Sequence, residues 1–548
     1  MPQIPLATIP RLALASLASF AALTLASCGG DGDRFPAPSS PSDGGSTPPV
    51  AAEAKYSVGG SVSGLLGSGL VLQLAGAADV AVAANGDFAF GDKFAKKTSY
   101  AVSVKQQPAN PAQTCTVNNA SGTIADSDVT NVSVVCATTS YTVSVTVTNL
   151  DAAGGLVLQN NAAPDLAATP TAPSSSRPPV PTAADYGVTV KTQPNALQVC
   201  IARQAFGTVT TGPITSVIVA CTVPGVDRLA FTADEGSNTL TRYTAAADGQ
   251  LSSATSFAAG NTPQHVSVHP EGKSVYVANI SGGTVTQYSI DGAGALTRLP
   301  EVTANVGSNP LFVGIEPKGR FAYVIGDGSI HRFSIDAMGA LLNGAAFPGA
   351  TGRKMSFDPD GRFAFAPNNG SIGVYLLDQA TGDPTLVPGS VAHPSAQDIA
   401  IDPTGRFAYV DSPGTAGGAG SLSAYAINAA TGALTLIGSV PTGVVPFSLT
   451  VDPTGRFVYV VNRNSNSVSA YAIEPRTGAL TPVPGQPFAT GSVPDSVTVD
   501  RTGRFAYTAN QSDNTISFFT IDRTTGALGA RVNFPSLGNR PQFLALTK

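Results

Sequence analysis

The chain has 548 residues, 43% of them hydrophobic and 12% charged, with a formal net charge of -5. That apolar content supports several folded domains and excludes a largely disordered chain. The acidic balance gives no general attraction to a phosphate backbone, so no nucleic-acid partner is expected. With 58 Gly, 42 Pro, no Trp and many short β-branched runs, the sequence reads as all-β.

Arg11 precedes an apolar run from Leu12 to Ala26, too short to span a bilayer and shaped like a secretory signal. The run ends in Leu25-Ala26-Ser27-Cys28-Gly29, which resembles the bacterial lipobox. The resemblance implies that residues 1–27 are a lipoprotein signal peptide and that Cys28 is lipidated, becoming a membrane anchor. Each buried acyl methylene adds ~0.8 kcal/mol to such an anchor. Gly29, rather than Asp, follows the cysteine. By resemblance to lipoprotein sorting in Gram-negative bacteria, this implies the outer membrane. Residues 28–55 are rich in Pro, Ser and Gly and are expected to be a flexible tether. Asp31-Gly32-Asp33 lies in that tether and is not read as a cation site.

Two modules follow, at 56–138 and 139–223. Gly69-Leu70-Val71-Leu72-Gln73 returns as Gly155-Leu156-Val157-Leu158-Gln159, and Gln107-Pro108 returns as Gln193-Pro194. Alternating runs such as Tyr100 to Val104 mark strands with one buried face. Exported proteins meet an oxidising compartment, so the four cysteines here are expected to pair. The repeated spacing favours Cys115–Cys136 and Cys200–Cys221, one bridge per module. Without Cys-x-x-Cys or a nearby His, no metal site is expected. The Pro/Ser-rich stretch around Thr169 to Pro178 reads as a surface loop. The modules read as small β-sandwich spacers.

Residues 224–548 repeat with a period near 46. Turn markers stand at His269-Pro270-Glu271-Gly272-Lys273, Glu316-Pro317-Lys318-Gly319-Arg320, Asp358 to Arg362, Asp402 to Arg406, Asp452 to Arg456 and Asp500 to Arg504. Pro presets φ and Gly accepts φ > 0, so each is a tight turn between two strands. Four short strands per repeat indicate a β-propeller blade. Six markers give six blades. A seventh is expected where Arg228 to Thr232 pairs with Pro541 to Leu546, closing the ring and removing its free edge. Before each turn, apolar residues (Val266 and Val268, for example) flank a small one: Ser267, Gly314, Ser356, Ala400, Thr450, Thr498 or Ala545. Small residues fit where blades converge at an axis.

The Asp-Pro-x-Gly-Arg-Phe-x-Tyr-Val-x-Asn and Thr-Gly-x-Leu units resemble the YVTN repeat and the lactonase-type seven-bladed propeller family, which includes 6-phosphogluconolactonases. The resemblance implies a seven-bladed β-propeller over 224–548, with lactone hydrolysis as a possible activity. Propellers bind ligands at the axial mouth. The positions entering the inner strands nominate Gln264, His265, Arg353, Lys354, Asp398 and Asp495 as ligand-binding residues. His265 is the candidate catalytic base, with Arg353 or Lys354 near a developing oxyanion. The arginines of the Gly-Arg-Phe turns read as structural or solvated. Family lactonases often carry an acid after the Tyr-x-x-Asn asparagine, whereas Ile280, Arg463 and Gln511 follow Asn279, Asn462 and Asn510. The leading expectation is therefore an envelope protein that binds a small polar ligand or an envelope protein through its axial face. Lactone hydrolysis and a purely structural surface role are the alternatives. No cofactor is expected.

Overall fold

The structure, a computed structural model, describes residues 53–547 apart from short stretches at 153, 162, 170–173, 176–178, 196, 211, 224, 226–227, 303–308, 327, 351 and 369. The signal segment, Cys28, nearly all of the tether and most of the Pro/Ser-rich stretch lie outside the described residues.

Each module is built from two four-stranded sheets. In the first, Lys55–Ser63 runs parallel to Val129–Thr138, and Leu70–Leu74 pairs with Ser99–Gln106 in the facing sheet. The second repeats the plan, with Val143–Thr148 parallel to Ile214–Thr222, and Val157–Asn160 beside Asp185–Thr192. The inward residues of the alternating strands fill each core: Leu72, Phe90 and Val134 in one, Leu158, Val188 and Val219 in the other. Cys115 stands directly opposite Cys136 on an antiparallel neighbour and is bonded to it; Cys200 and Cys221 match. The repeated Gln-Pro pair has a task here. The Gln107 side chain bonds both backbone groups of Cys115, and Gln193 does the same for Cys200. These amides satisfy backbone groups on a sheet edge that would otherwise lack partners.

Seven antiparallel sheets form the propeller. Their innermost strands are Pro263–Val268, Pro310–Ile315, Ser356–Phe357, Ile399–Ile401, Pro446–Val451, Pro494–Val499 and Pro541–Thr547, numbered here as blades 1 to 7. Blade 7 is shared between the chain's two halves: Pro541–Thr547 pairs with Leu229–Asp234, and Phe231 faces Ala545. In blades 3 and 5 the outermost strand is split into two short pieces. The apolar residue nearer the mouth on each inner strand, such as Val266, Val313 and Leu449, is fully buried against a neighbouring sheet. The small residues face the axis, where hydroxyls tie adjacent blades: Ser356 Oγ donates to Ile399 O and Thr498 Oγ1 to Leu544 O, both at 2.6 Å.

The recurring motifs prove to be two halves of one joint between blades. The glycine of each Thr-Gly-x-Leu-type turn has positive φ and sits against the preceding blade. At Gly478 an added Cβ would lie 2.4 Å from the Phe407 ring, and at Gly526 2.3 Å from Phe457. The tyrosine of the preceding blade donates to that glycine's carbonyl, as Tyr323 does to Gly382 at 2.6 Å and Tyr459 to Gly526 at 2.9 Å. The Gly-Arg-Phe arginine stacks on its own phenylalanine and reaches the same turn. Arg456 lies 5.3 Å from the Phe457 ring centroid and donates to Arg523 O at 2.8 Å. These arginines are structural. His269 is a turn residue too, bonded to Gly319 O at 2.8 Å while its other nitrogen accepts from Glu271 N.

The second module leans on the turn-bearing end of the propeller. Arg523 donates to Asn195 O at 2.6 Å and to Gln198 O at 3.1 Å, and the Arg406 guanidinium lies 4.6 Å from the Phe206 ring centroid.

Candidate functional site

At the opposite end, the loops entering the inner strands converge. Gln264, His265, Arg353, Lys354, Asp398 and Asp495 all line one cavity, together with Leu311, Phe447, Ser448, Gln542 and Phe543. The enclosed part holds about 40 Å³ and opens to solvent. The structure therefore brings the six residues nominated from register to one cavity, with very different burial from one to the next.

His265 is the floor. Its ring lies between Phe312 and Phe543, with centroids 4.5 and 4.1 Å away. Burial, with Lys354 adding to it, pushes its pKa down to about 3, so the imidazole is neutral. His265, Lys354 and Phe543 also line a second cavity of about 360 Å³ on the turn-bearing side, so they form the constriction between the two ends of the axis.

Lys354 Nζ lies 3.2 Å from Asp398 Oδ2 and donates to Leu449 O at 3.0 Å. Asp398 Oδ2 also accepts Leu449 N at 3.0 Å. Behind Asp398 stands Asp411, fully buried, whose Oδ1 accepts Asp398 N at 2.7 Å. Burial and the nearby Asp398 charge drive the Asp411 pKa well up, which favours its protonated form.

Across the mouth, two guanidinium groups lie against the Phe447 ring, Arg353 at 4.7 Å and Arg463 at 4.5 Å from its centroid. Arg353 is exposed. Arg463 Nε lies 2.7 Å from Asp495 Oδ1, and its Nη2 donates to Gln511 Oε1 at 3.0 Å. Gln511 in turn donates to Glu235 Oε2 at 3.2 Å, which pairs with Arg540 and accepts from Gln542. Asp495 is 3% exposed, and burial outweighs Arg463 and Arg353, so its pKa is pushed up to about 7. The mouth thus holds a carboxyl that exchanges its proton near neutrality beside an exposed guanidinium, the pair needed to activate water and to stabilise an oxyanion.

Residues 222–489 match the lactonase, seven-bladed β-propeller family. The C-terminal domain is a lactonase-type seven-bladed β-propeller. A search of curated proteins finds no match. Among solved structures, the chain is similar to a candidate 6-phosphogluconolactonase of Bacteroides uniformis, at 20% identity and a TM-score of 0.51, covering 59% of this chain and all of that one. It is equally similar to the periplasmic gluconolactonase PpgL of Pseudomonas aeruginosa, at 20% identity and a TM-score of 0.51, covering 58% of this chain and 99% of that one. At this identity the likeness establishes the fold.

Four residues of the lactonase-type mouth were missed by the sequence reading: Glu235, Asp411, Phe447 as an arginine platform, and Arg463. Two of them carry a signal. Asp411 takes a strand position filled by Ala233, Ala278, Ile325, Pro367, Val461 and Ala509 in the other blades. Glu235 follows Asp234, the closing blade's counterpart of the Tyr-x-x-Asn asparagine, and so supplies an acid at that position. That strand begins Leu229-Ala230-Phe231 and, like the blade 3 strand with Phe365, has phenylalanine where the other five blades carry the aligning tyrosine.

Proposed function

We propose that the protein is a lactone hydrolase that opens the cyclic ester of a sugar acid at the axial mouth. The observation that carries this reading is Asp495, a buried carboxyl with its pKa pushed up to about 7, set beside the exposed Arg353, whose guanidinium lies over Phe447. In its ionised form Asp495 takes a proton from water, and the water oxygen adds to the lactone carbonyl. Charge developing on the carbonyl oxygen is met by Arg353. Collapse breaks the ring carbon–oxygen bond, Asp495 returns its proton to the departing alkoxide, and a hydroxy acid leaves. His265, held neutral in the floor, is a weak base and shapes the site instead.

The lactonase family match supports hydrolysis over the binding or scaffolding role that the sequence first favours. The names of the similar structures point to gluconolactone and its 6-phosphate as substrates to try first. We also propose a place in the cell envelope, with lipid on Cys28 as the anchor. The lipobox-like sequence and the periplasmic relative support that placement. The test is a titration of acid release from δ-gluconolactone and its 6-phosphate by the mature chain. Release above the spontaneous rate is expected, and release equal to that rate refutes the hydrolase reading.

A further inference from the structure

A cavity of about 320 Å³ lies where the second module meets blades 4, 5 and 6. Ligand sites are commonly of this size and favour boundaries between domains. The contacts that hold the module in place leave the space open. Arg523 reaches Asn195 O and Gln198 O, Arg476 pairs with Asp185, and none of these five residues lines the cavity. The first module, a copy of the same fold, shows what changed on this face. Phe206 pairs with Gly187 as Ser121 pairs with Ala101, and Ile201 follows Cys200 as Thr116 follows Cys115. At both positions the first module carries an exposed hydroxyl residue and the second a half-buried apolar one. Phe206 and Ile201 line the cavity, as Val190 does. A change made only to seal the boundary would bury these side chains completely. They remain half-buried around a space, and so leave apolar wall for a ligand to cover.

The propeller supplies the polar wall with Arg406 and Arg456. A guanidinium has five N–H donors. Arg406 spends two on Pro475 O and Arg476 O, and Arg456 spends two on Arg523 O and Thr524 O, so three remain on each. The acid in the lining, Asp402, is already committed. Its Oδ1 accepts Arg406 N and Phe407 N, and its Oδ2 accepts the backbone and hydroxyl of Thr404. Glu474 and Asp522 lie near the two arginines, but their oxygens hold their own turns, at Thr477 N and Thr524 N. Lys191, also in the lining, is paired with Asp165. The wall is therefore rich in donors and short of acceptors. Its complement is a charged acceptor joined to an apolar body.

We infer that the boundary between the second module and the propeller is a binding site for a small organic carboxylate with an apolar body. The head group meets Arg406 and Arg456, and the body covers Phe206, Ile201 and Val190. The site shares no lining residue with the mouth, and the inference does not depend on the hydrolase reading.

The experiment titrates 3-phenylpropionate, octanoate and the neutral 3-phenylpropan-1-ol into the mature full-length chain by calorimetry. Saturable binding of at least one carboxylate at millimolar concentration or below is expected, with the alcohol at least about tenfold weaker. Phe206→Ser and Ile201→Thr install the residues that the same fold carries in the first module. Phe206→Ser is expected to weaken the carboxylate about tenfold or more, and Ile201→Thr to weaken it in the same direction. No saturable binding of either carboxylate overturns the inference, and so does an alcohol that binds as tightly as its acid. Affinity left unchanged by both variants puts the ligand elsewhere, the mouth included, and overturns it as well. Ile201 makes none of the contacts that hold the module, so Ile201→Thr decides if Phe206→Ser undocks or unfolds it.

Discussion

The hydroxyl of Tyr507 donates a 2.6 Å hydrogen bond to the carbonyl of Gly249, 258 residues earlier in the chain. It joins blade 6 to blade 7 and closes the same joint that Tyr323 and Tyr459 make between consecutive blades. Only here does the joint connect opposite ends of the propeller sequence, so it guards the ring seam together with the pairing of Phe231 and Ala545.

Breaking the seam should therefore destabilise the propeller as a whole. Tyr507→Phe removes the donor and is expected to cost about 1 kcal/mol. Gly249→Ala is expected to cost more, about 2 kcal/mol or above. Its φ is +84°, and the new Cβ would meet Phe505 Cγ at 2.6 Å. Thermal unfolding checks both. A Gly249→Ala Tm equal to that of the unmodified chain would contradict this account of the joint.

The disulfides should act locally. Each closes a loop of 21 residues between directly opposed strand positions. Replacing Cys115 and Cys136 together by Ser is expected to lower the first module's stability by ~3 kcal/mol. The propeller makes its own core, so its calorimetric transition should keep its Tm while the module's falls. A matched drop in both would mean that the two unfold as one unit.

The fold was legible because a propeller writes its architecture once per blade. The Pro-x-Gly turns fixed the blade count, and the spare strand at Arg228 fixed the closure. What the repeats left open was which of their parts touch. The joint between the Tyr459 hydroxyl and Gly526 crosses 67 residues, and no local pattern reports a partner at that distance. The mouth divides in the same way. Its members follow from register, which is why Gln264 through Asp495 come together. Their chemistry depends on burial, which register does not encode. His265 and Asp495 look alike as polar loop residues, yet one is held neutral between two phenylalanines and the other is tuned toward neutrality by burial against two arginines.

The anchor makes a separate prediction. Cys28→Ser removes the only proposed acylation site, so the protein should move from the membrane pellet to the soluble fraction after cell fractionation. Several acyl chains hold a protein firmly, and the single substitution removes them all at once. Continued sedimentation of the variant with membranes would rule out lipid on Cys28 as the attachment.

Acidity should strengthen the ring seam. Asp234 is fully buried at the end of the closing strand, and burial pushes its pKa up to about 6 against hydrogen bonds from Thr241, Thr232 and Thr239. A raised folded-state pKa means that the native state binds the proton more tightly than the unfolded chain. The resulting stability is fully present below the unfolded value of ~3.9 and is lost as pH rises through about 6. The difference corresponds to ~3 kcal/mol. Denaturant unfolding at pH 5 and pH 8 should therefore show a steeper loss in the unmodified chain than in Asp234→Asn, whose side chain does not titrate. Identical slopes would remove Asp234 from the account.

The decisive prediction concerns Asp495. As the base it must be ionised, so turnover, corrected for spontaneous lactone opening, should rise with pH through about 7 and level off above it. Asp495→Asn keeps the shape and removes the proton acceptor, and should lower kcat by ~10²–10⁴. Arg463→Gln provides the cross-check. It takes away the cation 2.7 Å from Asp495, a partner that now favours the charged form. The rising limb should then move to higher pH, because burial acts with less opposition. A limb that stays in place in Arg463→Gln would mean that another group sets the profile, and His265, held neutral with its pKa near 3, is too acidic to be that group.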